Sequence, residues 1–221
     1  MATAILQVRK TARKLLCVLL AIAVAMGMCP GIARADASDY TKSSVLKNLK
    51  AYDPNGYYLV KTQVKRGDNI MVWWDDSSVY RNFSKTVHEE CHAFSFNASY
   101  NAQKIYVGGK KSVKVEYTKT FKSQKIAGSV PASLQTDRFW TYVGTKGSNL
   151  DSNTRGAYGM LNEFMAYCWG FNALVGLYNK AAKQTPTDTV WLEYYGGSAN
   201  AALAYAEFRY FIQHYLYYAK K

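Results

Sequence analysis

Apolar residues recur every three or four positions in two long segments, and this spacing predicts two helices. The first runs from about 156 to 183 and ends before Pro186. The second runs from 199 to 218, is dense in Ala and Tyr, and follows a short separate element at 190–195. These two helices account for most of the second half of the chain.

Two more helices are predicted earlier. A short one covers about 45–49, behind the polar pair Ser43-Ser44. A longer one begins at a cap formed by Ser77-Ser78 or by Asn82 or Ser84 and continues to about Ala98, with apolar residues on one face.

Alternation of apolar and polar residues predicts strands at 57–64 and 70–74, the first after an Asp-Pro-Asn-Gly turn, and a hairpin at 104–117 with a Gly-Gly-Lys-Lys turn. Residues 121–155 contain many Gly, Ser, Thr, Asp and Asn and predict a long irregular connection. There is no internal repeat and no interdomain linker. The pattern therefore predicts a single α+β domain, in which a small antiparallel sheet packs on about three helices.

The first 35 residues have the features of a secretory signal peptide. A basic start precedes an apolar run at 15–28, and an Ala-Arg-Ala cleavage sequence ends at Ala35. A retained N-terminal anchor is the alternative, whereas a lipoprotein signal is disfavoured because a methionine precedes Cys29. We expect a mature domain at 36–221, secreted or at the extracellular surface, with no stable membrane span after cleavage.

Charge adds one expectation about partners. The chain has 28 basic and 15 acidic residues, and five basic residues precede residue 36, so the mature domain carries a net charge of +8. Such a protein is attracted to anionic surfaces such as cell walls and acidic glycans. Because there is no long Lys/Arg run and no nucleic-acid-binding motif, we expect no nucleic-acid partner.

Two cysteines, Cys91 and Cys168, lie in the mature domain. An even number of cysteines in an exported protein favours a disulfide. Two buried free thiols are the alternative.

Candidate chemistry is concentrated in the sequence His88-Glu89-Glu90-Cys91-His92. On a helix, two histidines four residues apart lie one turn apart on the same face, so both can bind one metal ion. The glutamate after the first histidine can reach a water molecule at that metal, which is the H-E-x-x-H pattern of zinc peptidases.

A catalytic zinc site takes three protein ligands. Position 98 is Ala, which excludes the metzincin pattern with a third histidine there. A glutamate on a later helix is the other solution, and Glu163, near the start of the predicted helix at 156–183, fits it.

Together these motifs resemble a gluzincin-type zinc metallopeptidase, over about 69–170. The resemblance implies a zincin-like domain with Zn²⁺ as cofactor, held by His88, His92 and Glu163. It also implies that Glu89 is the general base and that Tyr167, one turn beyond Glu163, is a candidate to stabilise the oxyanion.

The resemblance further implies that residues 70–76 form an edge strand that binds extended peptides, with Trp73 and Trp74 in contact with substrate; both tryptophans could instead belong to the core. The chain departs from the family at Tyr167, where related enzymes have an aspartate that orients the first histidine. Asp75, Asp151 or a backbone carbonyl could take the place of that aspartate. Weaker candidates for the oxyanion donor are Tyr142, Tyr158 and His214.

The sequence thus favours a secreted zinc endopeptidase acting on peptide or protein substrates, including those associated with a cell wall. Two alternatives stay open: a non-enzymatic protein that binds cell surfaces or glycans, and a zinc amidase acting on peptidoglycan. The sequence leaves the oligomeric state open.

Overall fold

The described part of the chain is mainly helical. The structure is a computed structural model that describes residues 39–75, 78–144, 150–183 and 188–221, so the predicted signal peptide lies outside the described residues. Its main elements are, in chain order, helices α1 (Lys42–Tyr52), α2 (Pro54–Val64) and α3 (Val79–Phe96), strands β1 (Ala102–Gly108) and β2 (Lys111–Glu116), and helices α4 (Ala157–Lys183) and α5 (Asp188–Lys220).

The predicted strand at 57–64 is wrong, because this segment belongs to α2. Pro54 occupies the first turn of the helix, where its fixed φ is favourable and its missing N–H costs nothing. Leu59 and Gln63, four residues apart, are both fully buried against the core. Their spacing is that of a helix face, which the loose alternation of apolar residues concealed.

The predicted edge strand at 70–74 is also wrong. Residues Ile70–Trp73 form a short 3₁₀ helix, and the Asn69 side chain accepts a hydrogen bond from the backbone N–H of Met71 at its start. This local bond satisfies a backbone donor that a strand would have offered to a neighbour.

The hairpin is confirmed. Strands β1 and β2 pair antiparallel and form the only sheet in the described residues. Three consecutive turn residues have positive φ, namely Gly108, Gly109 and Lys110. The sheet is therefore smaller than the sequence predicted, because two of the four predicted strands are helical, and the α+β class holds with helices dominant.

Both long C-terminal helices are present, with one difference. α4 confirms the helix predicted at 156–183. α5, however, is one continuous helix through Gly196 and Gly197, so the predicted division into an element at 190–195 and a helix at 199–218 is wrong. Two glycines weaken a helix but do not end it when its flanking turns are packed.

Buried side chains form two clusters with α4 between them. The first cluster joins α1, α2, α3 and the inner face of α4, which contributes Met165 and Ala166. The second joins α5, the connection before α4, and Met160. That connection, predicted to be irregular, consists of short 3₁₀ and single-turn segments in its described part.

The predicted disulfide between Cys91 and Cys168 is absent, and both are free thiols. Cys91 is fully buried on α3, and Cys168 is half-buried on α4. Burial raises the pKa of both thiols, which favours the unreactive protonated form. The contact between α3 and α4 is thus made by packing, without a covalent bond.

None of the helices in the described ranges combines the length and the apolar character needed to span a membrane.

Candidate metal centre

Helix α3 supplies the first two groups of the candidate site. His88 and His92 lie one turn apart on its face toward α4, and their rings meet edge to face with centroids 4.7 Å apart. Their Nε2 atoms are 3.1 Å apart. The spacing of four residues in the sequence thus becomes a pair of nitrogens directed at one point.

Helix α4 supplies the third group. The Oε2 atom of Glu163 lies 3.5 Å from Nε2 of His92 and 3.8 Å from Nε2 of His88. The two helices approach closely at Gly170, where an added Cβ would lie 2.9 Å from the backbone oxygen of Ser84. A glycine there lets α4 run near enough to α3 for Glu163 to reach both histidines.

These three distances fit a single metal ion. Two bonds of about 2.0–2.2 Å at a tetrahedral angle place their donor atoms roughly 3.3–3.6 Å apart. The separation of 3.5 Å lies within that range, and those of 3.1 and 3.8 Å lie just below and just above it. Nitrogen and carboxylate oxygen are ligands that zinc accepts, and a set of three leaves a fourth position for a water molecule or substrate.

A buried asparagine orients one of the histidines. The side-chain oxygen of Asn162, which is 1 % exposed, accepts a hydrogen bond from Nδ1 of His92. The proton on Nδ1 leaves the lone pair of Nε2 directed at Glu163 and His88. Such a partner fixes both the tautomer and the ring orientation of a metal-binding histidine.

The electrostatics of the cluster favour a cation. Burial, and then the charge of His92, lower the pKa of His88 to about 3, so this ring is neutral at pH 7. Burial also lowers the pKa of His92, but the hydrogen bond and negative charge of Glu163 outweigh it and raise that pKa above its ordinary value. A metal ion binds a histidine nitrogen that carries no proton, so metal binding at His92 would compete with protonation of that ring.

Glu89 is placed beside the cluster on the wall of a cleft. The cleft has a volume of about 530 Å³, and His88, Glu89 and Tyr167 line one part of it. Burial raises the pKa of Glu89, Glu163 raises it further, and His92 and Lys85 act in the opposite direction. A carboxylate with a raised pKa is a better proton acceptor than an ordinary one.

Tyr167 contacts the first histidine through its ring. The ring packs edge to face on His88, with centroids 4.6 Å apart, and its hydroxyl lies 3.4 Å from that of Tyr142. The guanidinium of Arg138 lies 5.4 Å from the centre of the same ring. Tyr167 therefore packs against His88 and limits the orientations that the His88 ring can adopt.

The structure places the two tryptophans away from the cluster. The indole N–H groups of Trp73 and Trp74 donate to Glu90 and Thr86, at 2.9 and 3.1 Å. Both acceptors lie two residues from His88 and so face the opposite side of α3. Trp73 and Trp74 therefore lie on the side of α3 that faces away from the two histidines, and their contact with substrate stays a prediction.

Asp75 and Asp151, the two aspartates suggested as partners that orient His88, have other partners. Asp75 lies 3.3 Å from Lys85, and Asp151 forms an ion pair with Arg155 at 2.9 Å. The second oxygen of Asp151 is buried without a hydrogen bond, and Glu163 contributes to raising the pKa of this carboxyl group after burial. Asp151 thus lies near the cluster but does not orient a histidine.

Of the three weaker candidates for the oxyanion donor, two lie away from the cleft and one lies beside it. The hydroxyl of Tyr158 is hydrogen-bonded to Thr118, and His214 bonds to Ser129 at 2.8 Å. Neither lines the cleft. Tyr142 alone adjoins the site, through its hydroxyl contact with Tyr167.

The sequence did not predict the hydrogen bond between Asn162 and His92 or the far part of the cleft. Asn162 stands next to Glu163 in the sequence, but adjacency does not reveal which side chain turns back to a histidine. Arg81 and Lys85 are four residues apart on α3, like the two histidines. That spacing would have predicted that both basic side chains lie along one face of the helix, where they line the cleft.

The chain was compared with protein-family models, curated proteins and solved structures, and nothing matches in any of the three.

Proposed function

We propose that the protein is a secreted zinc-dependent endopeptidase with a zincin-like domain and residues 1–35 as its signal peptide. The observation that carries the proposal is the convergence of three donor atoms, from His88, His92 and Glu163, at separations suited to one tetrahedral zinc ion. Glu89 stands beside these ligands on the cleft wall. The pattern of an H-E-x-x-H helix and a later helical glutamate supports the same reading.

The proposed roles follow from the positions of the side chains. His88, His92 and Glu163 hold the zinc, and Asn162 keeps His92 in the tautomer that binds it. When bound, zinc supplies a Lewis acid that activates a water molecule and polarises the scissile carbonyl.

Glu89 moves the proton in this proposal. Its carboxylate accepts a proton from the attacking water and then donates it to the leaving amine, which completes the hydrolysis with no net change in the enzyme. Burial raises the pKa of Glu89, which favours the protonated carboxyl group formed in the first of these two transfers. Tyr167, on the cleft wall, is the proposed donor to the oxyanion.

Substrate binding in this proposal does not use an edge strand, since residues 70–73 are helical. The cleft between α3, α4 and α5 takes that role. A peptide lying in it passes His88 and Glu89 and continues along α3 toward its N-terminus.

Metal analysis tests the first half of the proposal. The purified chain from residue 36 onward should bind one equivalent of zinc, measured by atomic emission after dialysis. The variants His92→Ala and Glu163→Ala should each lose it. A wild-type protein with no bound zinc after incubation with the ion contradicts the proposal and leaves a non-enzymatic surface-binding role.

Hydrolysis tests the second half. The zinc-loaded protein should cleave peptides from a mixed synthetic library, detected by mass spectrometry. Glu89→Gln should keep one equivalent of zinc but lose about a hundredfold to ten-thousandfold in rate, since the general base is removed. Glu116→Gln, an equivalent change on exposed strand β2, is the matched control and should cleave normally. A fully active Glu89→Gln protein rules out the mechanism.

A further inference from the structure

The cleft extends well beyond the metal centre along α3. Arg81 and Lys85 lie on the same stripe of the helix as His88, at intervals of four and three residues, and all three line the cleft. At 1.5 Å of helical rise per residue, Arg81 is roughly 10 Å from His88 along the axis. An extended peptide covers that distance in about three residues.

Glycines form much of the opposite wall. A Cβ added at Gly196 would lie 3.6 Å from Nη2 of Arg81, and one at Gly197 would lie 3.7 Å from its Cγ. These glycines stand inside α5, where each costs about 1 kcal/mol of helix stability relative to alanine. Larger side chains would narrow the cleft beside the guanidinium, so the two glycines keep this end of the cleft open.

The charge at this end is positive and largely uncompensated. Arg81 is exposed and forms no ion pair with the residues that the structure describes. Lys85 pairs with Asp75 at 3.3 Å, but both side chains are about half exposed, so the attraction is weak. Among the described lining residues Glu89 alone is acidic, and it belongs to the metal centre.

We propose that Arg81 and Lys85 form an anion subsite for a carboxylate side chain of a peptide substrate, about three residues from the bond cleaved at the metal centre. A guanidinium binds a carboxylate through two parallel hydrogen bonds, and Lys85 adds a second positive charge beside it. The substrate class is therefore acidic peptides. This inference rests on the proposed function for the position of the cleaved bond, whereas carboxylate binding itself requires only the cleft.

Binding by the metal-free protein tests the subsite separately from catalysis. The probes are two fluorescein-labelled nonapeptide amides, alanine throughout except for a central Glu or a central Gln. Amidation removes the terminal carboxylate, so only the side chain differs. We expect the Glu peptide to bind about tenfold more tightly in fluorescence anisotropy, the effect of one charge-assisted pair. Equal affinities, or no measurable binding of either peptide, overturn the proposal.

Variants assign the preference to Arg81. Arg81→Gln should abolish it, and Arg81→Glu should reverse it in favour of a peptide with a central Lys. Arg209→Gln removes the same charge from an exposed position on α5 outside the cleft and should keep the preference. A preference for Glu that survives Arg81→Gln refutes the assignment.

Cleavage of an amidated peptide library by the zinc-loaded protein links the subsite to the reaction. Asp and Glu should be enriched about three residues from the cleaved bond, and Arg81→Gln should remove that enrichment while cleavage continues. Cleavage without enrichment overturns the subsite and leaves the peptidase. If the protein neither binds zinc nor cleaves peptides but still binds the Glu peptide through Arg81, the proposed peptidase function is refuted and the anion subsite stands.

Discussion

Replacing Asn162 by alanine perturbs the metal centre without touching a ligand. The Asn162 side chain is buried, and its oxygen accepts the hydrogen bond from Nδ1 of His92. In Asn162→Ala the Nδ1–H group loses its acceptor in a place where water replaces it poorly. The ring can then carry its proton on Nε2 instead, and that tautomer cannot bind a metal through Nε2, the atom that faces His88 and Glu163.

The expected loss of zinc affinity is 10- to 100-fold, as for other outer partners of metal-binding histidines, or about 1.4–2.8 kcal/mol. The stability of the metal-free protein should change much less. The substitution removes one hydrogen bond worth about 1 kcal/mol, but it also removes a buried Nδ2 group that has no partner, whose burial costs about 1–3 kcal/mol. These two effects oppose each other, so we expect a change below about 1.5 kcal/mol in the free energy of unfolding.

Two measurements separate the effects. Competition with a chromogenic chelator gives the zinc Kd, and urea unfolding followed by circular dichroism gives the stability of the metal-free protein. Asn162→Asp keeps an acceptor for His92 and should bind zinc within a few-fold of wild type.

Asn153→Ala is the matched control. Asn153 is equally buried, but its side chain bonds to Ser123 and to the backbone oxygen of Thr141. This variant should lose stability and keep its zinc affinity. An Asn162→Ala protein that binds zinc as tightly as wild type would refute the proposed role of this hydrogen bond.

Three further predictions concern stability and the thiols. Gly176→Ala would place a Cβ 2.1 Å from a backbone oxygen of α1, so it should destabilise the protein by about 2 kcal/mol or more, measured by urea unfolding. Gly128→Ala is the control and should not destabilise the protein, because no atom lies within 4 Å of the Cβ that it adds. Burial raises the pKa of Glu90 from 4.5 to about 7. The stability that this group contributes is therefore complete below about pH 4.5 and is lost as the pH rises through about 7. Glu90→Gln should flatten this pH dependence, and an unchanged slope of the unfolding free energy against pH would contradict the prediction. Because Cys91 is buried and its pKa is raised, it should resist a thiol reagent in the native protein and react in denaturant. Cys168 should react faster than Cys91 in the native protein. A count below two reactive thiols in denaturant would contradict the free-thiol structure.

The predictions from the sequence succeeded where local pattern decides structure. The long apolar repeats of α3 and α4 and the Gly-Gly-Lys-Lys hairpin signal were sufficient, because each depends on residues close together in the chain. The predictions at 57–64 and 70–74 failed because short apolar segments fit more than one period. At 57–64, packing on α3 and α4 selects the helix.

The candidate site shows the same division. His88 and His92 are brought together by helical spacing alone, so the sequence determines their pairing. Glu163 could be proposed from its place on a helix, but its distance to the histidines depends on how closely α4 approaches α3. That approach depends on Gly170, which sequence alone does not connect with Ser84.

What the sequence determined by itself is therefore the set of groups available for chemistry: two histidines and a glutamate on one helix, and a second glutamate on another. Only the tertiary structure decided which groups meet. It placed Asn162 behind His92, turned Trp73 and Trp74 to the far side of α3, and opened a cleft beside Arg81. The physical reason is that a helix fixes relations within a few turns, whereas contacts between helices depend on side chains that are far apart in the chain.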